Sequence, residues 1–255
     1  MKKYLQMNVS KVFLMLSNIL YKLSRSRMLT SCWEVSKNQF KSTRAAQLKS
    51  LIYNFDRPIN VLEIGTWYGL GSTKVFKDNL PRGSSLFILD RWEAYASDAD
   101  LAGGGRLWYE QMDTQVKDAL KKVIELNPHF VNEGIKVSII KSESSYFMSY
   151  LKEDFFDLIF IDGSHYYLDV KSDIERAKKI VKKDFGIICG DDLEEFPTTS
   201  TIEKAKAGIK FDSHVDGFHP GVLVAISEEF NSVNMKDGFW FVYCIDAKFT
   251  VSVDI

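Results

Sequence analysis

From residue 59 onward, short runs of consecutive apolar residues alternate with segments in which apolar residues recur every three or four positions. Consecutive apolar residues are typical of strands buried on both faces, and the longer spacing predicts amphipathic helices. The predicted strands are residues 59–64, 85–89, 135–140, 156–161, 185–189, 238–245 and 249–253. The predicted helices are residues 72–80, 108–126 (ended by Asn127 and Pro128), 144–151, 170–181 and 221–230. This alternation predicts βαβ units and a doubly wound α/β sheet.

The N-terminal part has a different pattern. Apolar residues recur at helical spacing between residues 5 and 23, with lysines between them. Residues 1–50 carry a net charge of +9, whereas residues 51–255 carry −10. We therefore predict a basic helical extension at residues 1–50 and one α/β domain at residues 51–255. Three roles remain possible for residues 1–30 of this extension: packing on the domain, contact with a partner subunit in a homo-oligomer, or contact with a membrane surface.

Composition narrows the class of protein. The 255 residues are 45% hydrophobic and 26% charged, with a net charge of −1. These values exclude a disordered chain, and a near-neutral balance argues against a general nucleic-acid binder. The three cysteines are widely spaced, which predicts reduced thiols and a cytoplasmic location. No apolar run reaches the ~20 residues of a membrane span.

The strongest motif is residues 61–72, VLEIGTWYGLGS, in which a strand enters a glycine turn and then a helix. Such a turn lets a ligand approach the backbone and exposes the N–H groups at the helix start. A dinucleotide fingerprint beginning at Gly65 would need two further glycines, where Trp67 and Leu70 stand. An NAD enzyme is therefore disfavoured, although it remains an alternative.

This glycine pattern resembles the first motif of class I S-adenosylmethionine-dependent methyltransferases. In that family the turn contacts the methionyl part of the cofactor, and an acid after the next strand binds the ribose hydroxyls. Asp90 stands at that position, 25 residues after Gly65. The resemblance implies a Rossmann-like, doubly wound, seven-stranded fold with a helical N-terminal extension. The residues predicted to bind the cofactor are Glu63, Gly65, Tyr68, Gly69, Ser72, Asp90, Ser142 and Asp162.

Two of these cofactor residues have a second interpretation. Tyr68, like Trp67, can pack around the turn instead of contacting the cofactor. Ser142 can flank the adenine, or it can be the N-cap of the helix that follows.

A second group of motifs follows the fourth and fifth strands, FDLIFIDGSHYY at residues 156–167 and GIICGDD at residues 186–192. Asp162, Asp191 and Asp192 end neighbouring strands, so three carboxylates are expected to converge on one edge. Oxygen ligands suit Mg²⁺, and without a cation these charges would repel and raise at least one pKa. We therefore predict a magnesium site. A helix cap plus a solvated acid is the alternative for the Asp pair.

The same residues resemble the macrocin O-methyltransferase-like and methyltransferase 24 families, over about residues 45–245. By position, the resemblance implies Asp162, Asp191 and Asp192 as metal ligands, with Asp162 also part of the catalytic pair. It implies His165, three residues after the first ligand, as the base. A hydrogen-bonded structural histidine is the alternative for His165.

The predicted function is S-adenosylmethionine-dependent, Mg²⁺-assisted O-methylation of a hydroxyl on a small molecule, sugar or glycoside. The alternatives are a metal-independent N- or O-methyltransferase and an inactive, cofactor-binding partner subunit. His214 and His219 either line the acceptor pocket or belong to a surface loop. Residues 93–106 are predicted to form a flap over the site or a plain surface loop.

Overall fold

The computed structural model describes residues 40–96, 106–207 and 218–252. Three sequence predictions fall outside these ranges, wholly or in large part. They are the amphipathic helix between residues 5 and 23, residues 97–105 of the predicted flap, and the role of His214.

One mixed sheet organises the described residues. Its strands lie in the order β3-β2-β1-β4-β5-β7-β6, with β8 also paired to β7. The first five are parallel, and β7 runs antiparallel to β5. The short strands β6 and β8 pair with opposite ends of β7, so the sheet is seven positions wide although it has eight strands. This confirms the predicted fold class. The strands are β1 (Asn60–Ile64), β2 (Ser85–Asp90), β3 (Lys136–Lys141), β4 (Leu158–Ile161), β5 (Phe185–Leu193), β6 (Asn234–Lys236), β7 (Gly238–Ile245) and β8 (Lys248–Thr250).

Helices cover both faces of this sheet, as the uninterrupted apolar runs require. Val61 of β1 belongs to one buried cluster and its neighbour Leu62 to another. Successive side chains of a strand point to opposite faces, so each strand contributes to both layers. The described helices are α1 (Ser42–Ile52), α2 (Ser72–Asn79), α3 (Arg106–Asn132), α4 (Ser144–Phe147, extended by a 3₁₀ turn at Met148–Tyr150), α5 (Tyr167–Ile180), α6 (Thr199–Ala207) and α7 (Pro220–Glu229).

The predicted end of the long helix was wrong. Helix α3 continues through Pro128 to Asn132. Proline removes one N–H donor, which leaves the carbonyl of Ile124 without its helical partner. Ile124 is on the exposed side of the helix, where water can bond that carbonyl, while Phe130 is fully buried and anchors the last turn.

Helix α1 lies mostly within the predicted helical extension but was not predicted as an element of its own, and it matters for the site. The domain boundary that we predicted at residue 50 lies inside this helix. Its residues Leu48, Leu51 and Ile52 belong to the buried core. The helix thereby carries Arg44 to the edge where β5 ends. In the described part of the chain, no helix is long and apolar enough to cross a membrane.

Candidate active site

The parallel strands β1, β2, β4 and β5 end at one edge of the sheet, where open α/β sheets bind their ligands. Two groups of residues meet there. We name the first, after β1 and β2, the glycine-turn rim; it contains Gly65 and Asp90. We name the second the carboxylate rim; it contains Arg44, Asp162, His165, Asp191, Asp192, Glu194 and His219.

Gly65 lets the first rim form. Its backbone has a φ of +84°, and a Cβ atom at this position would lie 2.0 Å from the carbonyl oxygen of Asp162. Its N–H donates to the carbonyl of Leu89 at 2.9 Å. Only glycine allows this conformation and this approach between the turn and the end of β4.

Asp90 is fixed by the backbone of the glycine turn. Its Oδ2 accepts hydrogen bonds from the N–H groups of Thr66 at 2.8 Å and Trp67 at 2.9 Å. Its Oδ1 accepts one from the N–H of Trp92 at 2.7 Å. Burial raises the pKa of Asp90, and these backbone bonds oppose that shift. A carboxylate oxygen can accept more than one hydrogen bond, so Oδ1 can also accept a ligand hydroxyl.

Glu63 lies beneath the turn instead of on the rim. Its side chain is fully buried. The hydroxyl of Ser72 donates to it at 2.6 Å and that of Thr73 at 2.9 Å. Burial raises the pKa of Glu63 to about 7, although these hydrogen bonds oppose the rise. Glu63 and Ser72 therefore tie β1 to α2, and their effect on a ligand is through the shape of the turn.

The other predicted cofactor residues are placed as follows. Tyr68 is buried in the core and packs edge-on against Trp67, which favours its packing interpretation. The N–H of Ser142 donates to the carbonyl of Asp90 at 3.1 Å, so Ser142 lies beside this rim. Its hydroxyl donates to the Glu143 carbonyl, and Glu143 is the N-cap of α4. The N-cap interpretation of Ser142 was therefore wrong, and its cofactor contact stays a prediction.

A bulge in β5 shapes the carboxylate rim. Gly190 pairs with Trp240 and Leu193 with Gly238, so the register shifts across Asp191 and Asp192. Asp192 has a φ of 63°, which is uncommon outside glycine. In a regular strand these two neighbours would point to opposite faces. The bulge instead brings both carboxylates to one cation.

That cation is Arg44, a residue that the sequence analysis missed. Its Nη1 lies 2.6 Å from Asp191 Oδ2 and 3.3 Å from Asp192 Oδ1. Its Nε donates to the carbonyl of Asp237 at 2.8 Å. A Cβ at Gly238 would lie 2.3 Å from Nη2, so this glycine makes room for the guanidinium. The signal in the sequence was indirect: an acid pair at a buried strand end needs a counter-charge.

The carboxylates of this rim fit Mg²⁺ poorly as they are placed. A shared metal would need oxygens from Asp162, Asp191 and Asp192, but Arg44 already bonds the last two. Burial and the charge of Asp192 raise the pKa of Asp191 to about 7, and Arg44 opposes this. Burial and the two neighbouring acids raise the pKa of Asp162 well above its usual value. The magnesium site therefore stays a prediction, with Arg44 as the observation against it.

His165 is oriented by Asp192. Its Nε2 lies 2.8 Å from Asp192 Oδ2, and 42% of its side chain is exposed. Burial lowers the pKa of His165, but the hydrogen bond and charge of Asp192 outweigh it and the net shift is upward. Burial would raise the pKa of Asp192, and the contacts with His165, His219 and Arg44 reverse that shift.

A second histidine completes the rim. The ring centroid of His219 lies 4.1 Å from that of His165. Its Nδ1 is 2.9 Å from Glu194 Oε1 and 4.0 Å from Asp192 Oδ1. Only 11% of the side chain is exposed. The surface-loop interpretation was wrong for His219, because Pro220 starts the buried helix α7 and fixes the preceding residue against the sheet edge. Sequence reasoning did not single out Glu194.

Comparison with known proteins gives one family and a set of related folds. The family described as "Methyltransferase domain" (methyltransferase 24) matches residues 62–193, just over half of the chain. No curated protein matches the chain significantly.

The solved structures that are similar to the chain include three described as O-methyltransferases. A Klebsiella pneumoniae protein described as a "putative O-methyltransferase" is 17% identical, with 82% of each chain covered and a TM-score of 0.50. An O-methyltransferase from Bacillus cereus in complex with SAH is 15% identical, with 85% of this chain and 86% of that chain covered and a TM-score of 0.49. The O-methyltransferase TomG from Streptomyces achromogenes, in complex with SAM, is 13% identical, with 80% of each chain covered and a TM-score of 0.47. At these identities the likeness concerns the fold alone.

Proposed function

Because the chain belongs to this methyltransferase domain family, we propose that it transfers a methyl group from S-adenosylmethionine to a hydroxyl of a small molecule, sugar or glycoside. The observation that carries the choice of oxygen is the contact of 2.8 Å between His165 Nε2 and Asp192 Oδ2. It gives the carboxylate rim a half-exposed imidazole whose orientation is fixed by a carboxylate.

The glycine-turn rim has the donors and acceptors that the cofactor requires. Asp90 presents a carboxylate held by three backbone N–H groups, and Oδ1 can accept a ribose hydroxyl. Gly65 and the turn after it bring the backbone close to the methionyl part. When bound there, the cofactor supplies a methyl group on a sulfonium, which is reactive toward an oxygen nucleophile held in line.

The carboxylate rim supplies the proton acceptor. A hydroxyl becomes a better nucleophile when a base takes its proton as the new bond forms. His165 suits this role because histidine titrates near neutral pH. Asp192 orients the ring and stabilises its protonated form, and Arg44 holds Asp192 in place. The reaction forms one C–O bond, breaks one C–S bond and leaves the proton on His165.

An aromatic pair beside this base favours a ring-shaped acceptor. Tyr166 follows His165 in the chain, and Tyr95 packs edge-on against it with centroids 5.0 Å apart. The Tyr95 ring is 42% exposed, and the Arg91 guanidinium lies 4.7 Å from its centre. Exposed aromatic faces with a polar edge suit the flat side of a sugar or an aromatic ring.

Magnesium is not part of this proposal, because Arg44 already contacts the carboxylates of both Asp191 and Asp192. The metal-independent alternative is therefore favoured over the Mg²⁺-assisted reaction that the sequence predicts. No catalytic step is assigned to a metal.

The test is turnover of methyl-labelled S-adenosylmethionine with matched acceptor panels. One panel carries hydroxyls on sugars, glycosides and aromatic rings, and the other carries amines on the same skeletons. We expect a labelled methyl ether, with rates in EDTA within twofold of those in its absence. Labelled amines alone would refute the choice of oxygen. Loss of turnover in EDTA with recovery in Mg²⁺ would restore the metal-assisted mechanism. Absence of turnover with intact cofactor binding would indicate an inactive partner subunit.

A further inference from the structure

The proposed reaction uses only one of the two histidines of the carboxylate rim, His165, and assigns no role to His219. One ring nitrogen of His165, one ring nitrogen of His219 and one carboxylate oxygen of Asp192 all lie within 4.8 Å of one another. We propose that these three side chains bind a divalent transition-metal ion of the Zn²⁺, Co²⁺ or Mn²⁺ class, and that the carboxylate of Glu194, which contacts His219, moves in as the fourth ligand. This site differs in ligands and position from the three-aspartate magnesium site considered above.

The distances are close to those of a filled site. A tetrahedral Zn²⁺ with bonds of about 2.0–2.1 Å holds its ligand atoms about 3.3 Å apart. His165 Nε2 is 2.8 Å from Asp192 Oδ2, and His219 Nδ1 is 4.0 Å from Asp192 Oδ1. Glu194 Oε1 is 2.9 Å from His219 Nδ1. These separations lie on both sides of the tetrahedral value, and the two Asp192 distances are to different oxygens, so binding requires side-chain rotations.

The ligand types also favour a transition metal. The imidazole centroids are 4.1 Å apart, so one ion can contact both rings. Two neutral rings each offer one nitrogen lone pair, and a single divalent ion uses both. Imidazole nitrogens suit Zn²⁺, Co²⁺ and Mn²⁺, whereas Mg²⁺ prefers oxygen ligands.

The surroundings hold the ligands and leave a route for the ion. Arg44 bonds Asp192 Oδ1, and the N–H of His219 donates to Glu194 Oε2 at 3.2 Å. Such outer contacts orient metal ligands. His165 is 42% exposed, so an ion can reach the site from solvent.

Metal binding and proton acceptance compete, because a metal on Nε2 of His165 replaces the hydrogen bond to Asp192 that orients the ring and stabilises its protonated form. This consequence rests on the proposed function, whereas the binding itself does not. A bound transition-metal ion should therefore inhibit methyl transfer.

The experiment uses the whole chain and Co²⁺ as the probe, with visible d–d absorption and calorimetry as readouts. We expect one Co²⁺ per chain. His219→Ala and His165→Ala should each weaken binding at least tenfold, while the exposed His129→Ala should bind like the wild type. Zn²⁺ should displace the Co²⁺, and millimolar Mg²⁺ should not.

Absence of Co²⁺ binding, or unchanged binding in His219→Ala, would overturn the proposal. Displacement of Co²⁺ by Mg²⁺ would also overturn it and would favour the aspartate site. Calorimetry with S-adenosylhomocysteine keeps the result interpretable, because a variant that binds this product but not Co²⁺ is folded. The outcome does not depend on methyl transfer, so the two proposals can fail separately.

Discussion

The two rims of the sheet edge are built in different ways. The glycine-turn rim is assembled from one continuous stretch and the next strand, and backbone N–H groups of that stretch hold its key carboxylate, Asp90. The carboxylate rim is assembled from four separate parts of the chain, and side chains hold one another through charge. Local sequence therefore specifies the first rim almost completely. The second depends on the whole fold, and its balance of charges is more sensitive to single substitutions.

The largest expected effect is on the carboxylate rim. His165→Gln removes the proton acceptor but keeps a polar side chain of similar length, so kcat should fall about 10²–10⁴-fold. The affinity for S-adenosylhomocysteine should not change, because the other rim is untouched. The matched control is the exposed His129→Gln. A change in kcat below threefold would remove His165 from the mechanism.

The second-largest effect is expected from removal of Arg44, the cation that Asp191 and Asp192 share. Arg44→Met leaves two buried carboxylates without their partner, and breaking a buried ion pair costs about 3–5 kcal/mol of unfolding free energy. Urea unfolding measures this, with the exposed Lys49→Met of the same helix as control. Mg²⁺ should stabilise the variant and not the wild type. Equal stabilisation of the wild type would show that Arg44 and a metal coexist.

A substitution in the glycine-turn rim is expected to weaken binding of S-adenosylhomocysteine. Asp90→Ala removes the ribose acceptor and frees three backbone N–H groups, so calorimetry should show about a 100-fold weaker affinity for S-adenosylhomocysteine, or about 2.7 kcal/mol. Asp90→Asn keeps one oxygen and should lose less. The exposed Glu133→Ala serves as control. Retained affinity in Asp90→Ala would refute the ribose role.

The smallest effect concerns pH. The pKa of Glu63 is raised to about 7 in the folded protein, above its ordinary value of 4.5. Between these values the folded state binds more protons than the unfolded state, so this group makes stability fall as pH rises. Relative to Glu63→Gln, the wild type should lose about 2 kcal/mol from pH 5 to pH 8.

Urea unfolding at several pH values compares the two proteins, and the exposed Glu133→Gln gives the baseline. Parallel pH profiles for wild type and Glu63→Gln would mean that Glu63 is ionised throughout this range.

The sequence predicted the glycine-turn rim better than the carboxylate rim. Apolar runs located the strands of the sheet. The resemblance of the glycine spacing and Asp90 to class I methyltransferases predicted that the chain is a methyltransferase enzyme, and the family match confirms this. Helices α1 and α6 were missed, because short helices with few apolar residues have weak periodicity. Arg44 was missed as a site residue, and His219 was left between the acceptor pocket and a surface loop, because tertiary packing alone brings these two residues to β5.

Arg44 also sets a limit on how this enzyme can be shortened. The family match starts at residue 62, which invites trimming of everything before β1. A protein cut there would keep every recognised motif and lose the guanidinium that Asp191 and Asp192 share. The smallest functional unit therefore begins before residue 44, about twenty residues ahead of the point at which the family becomes recognisable.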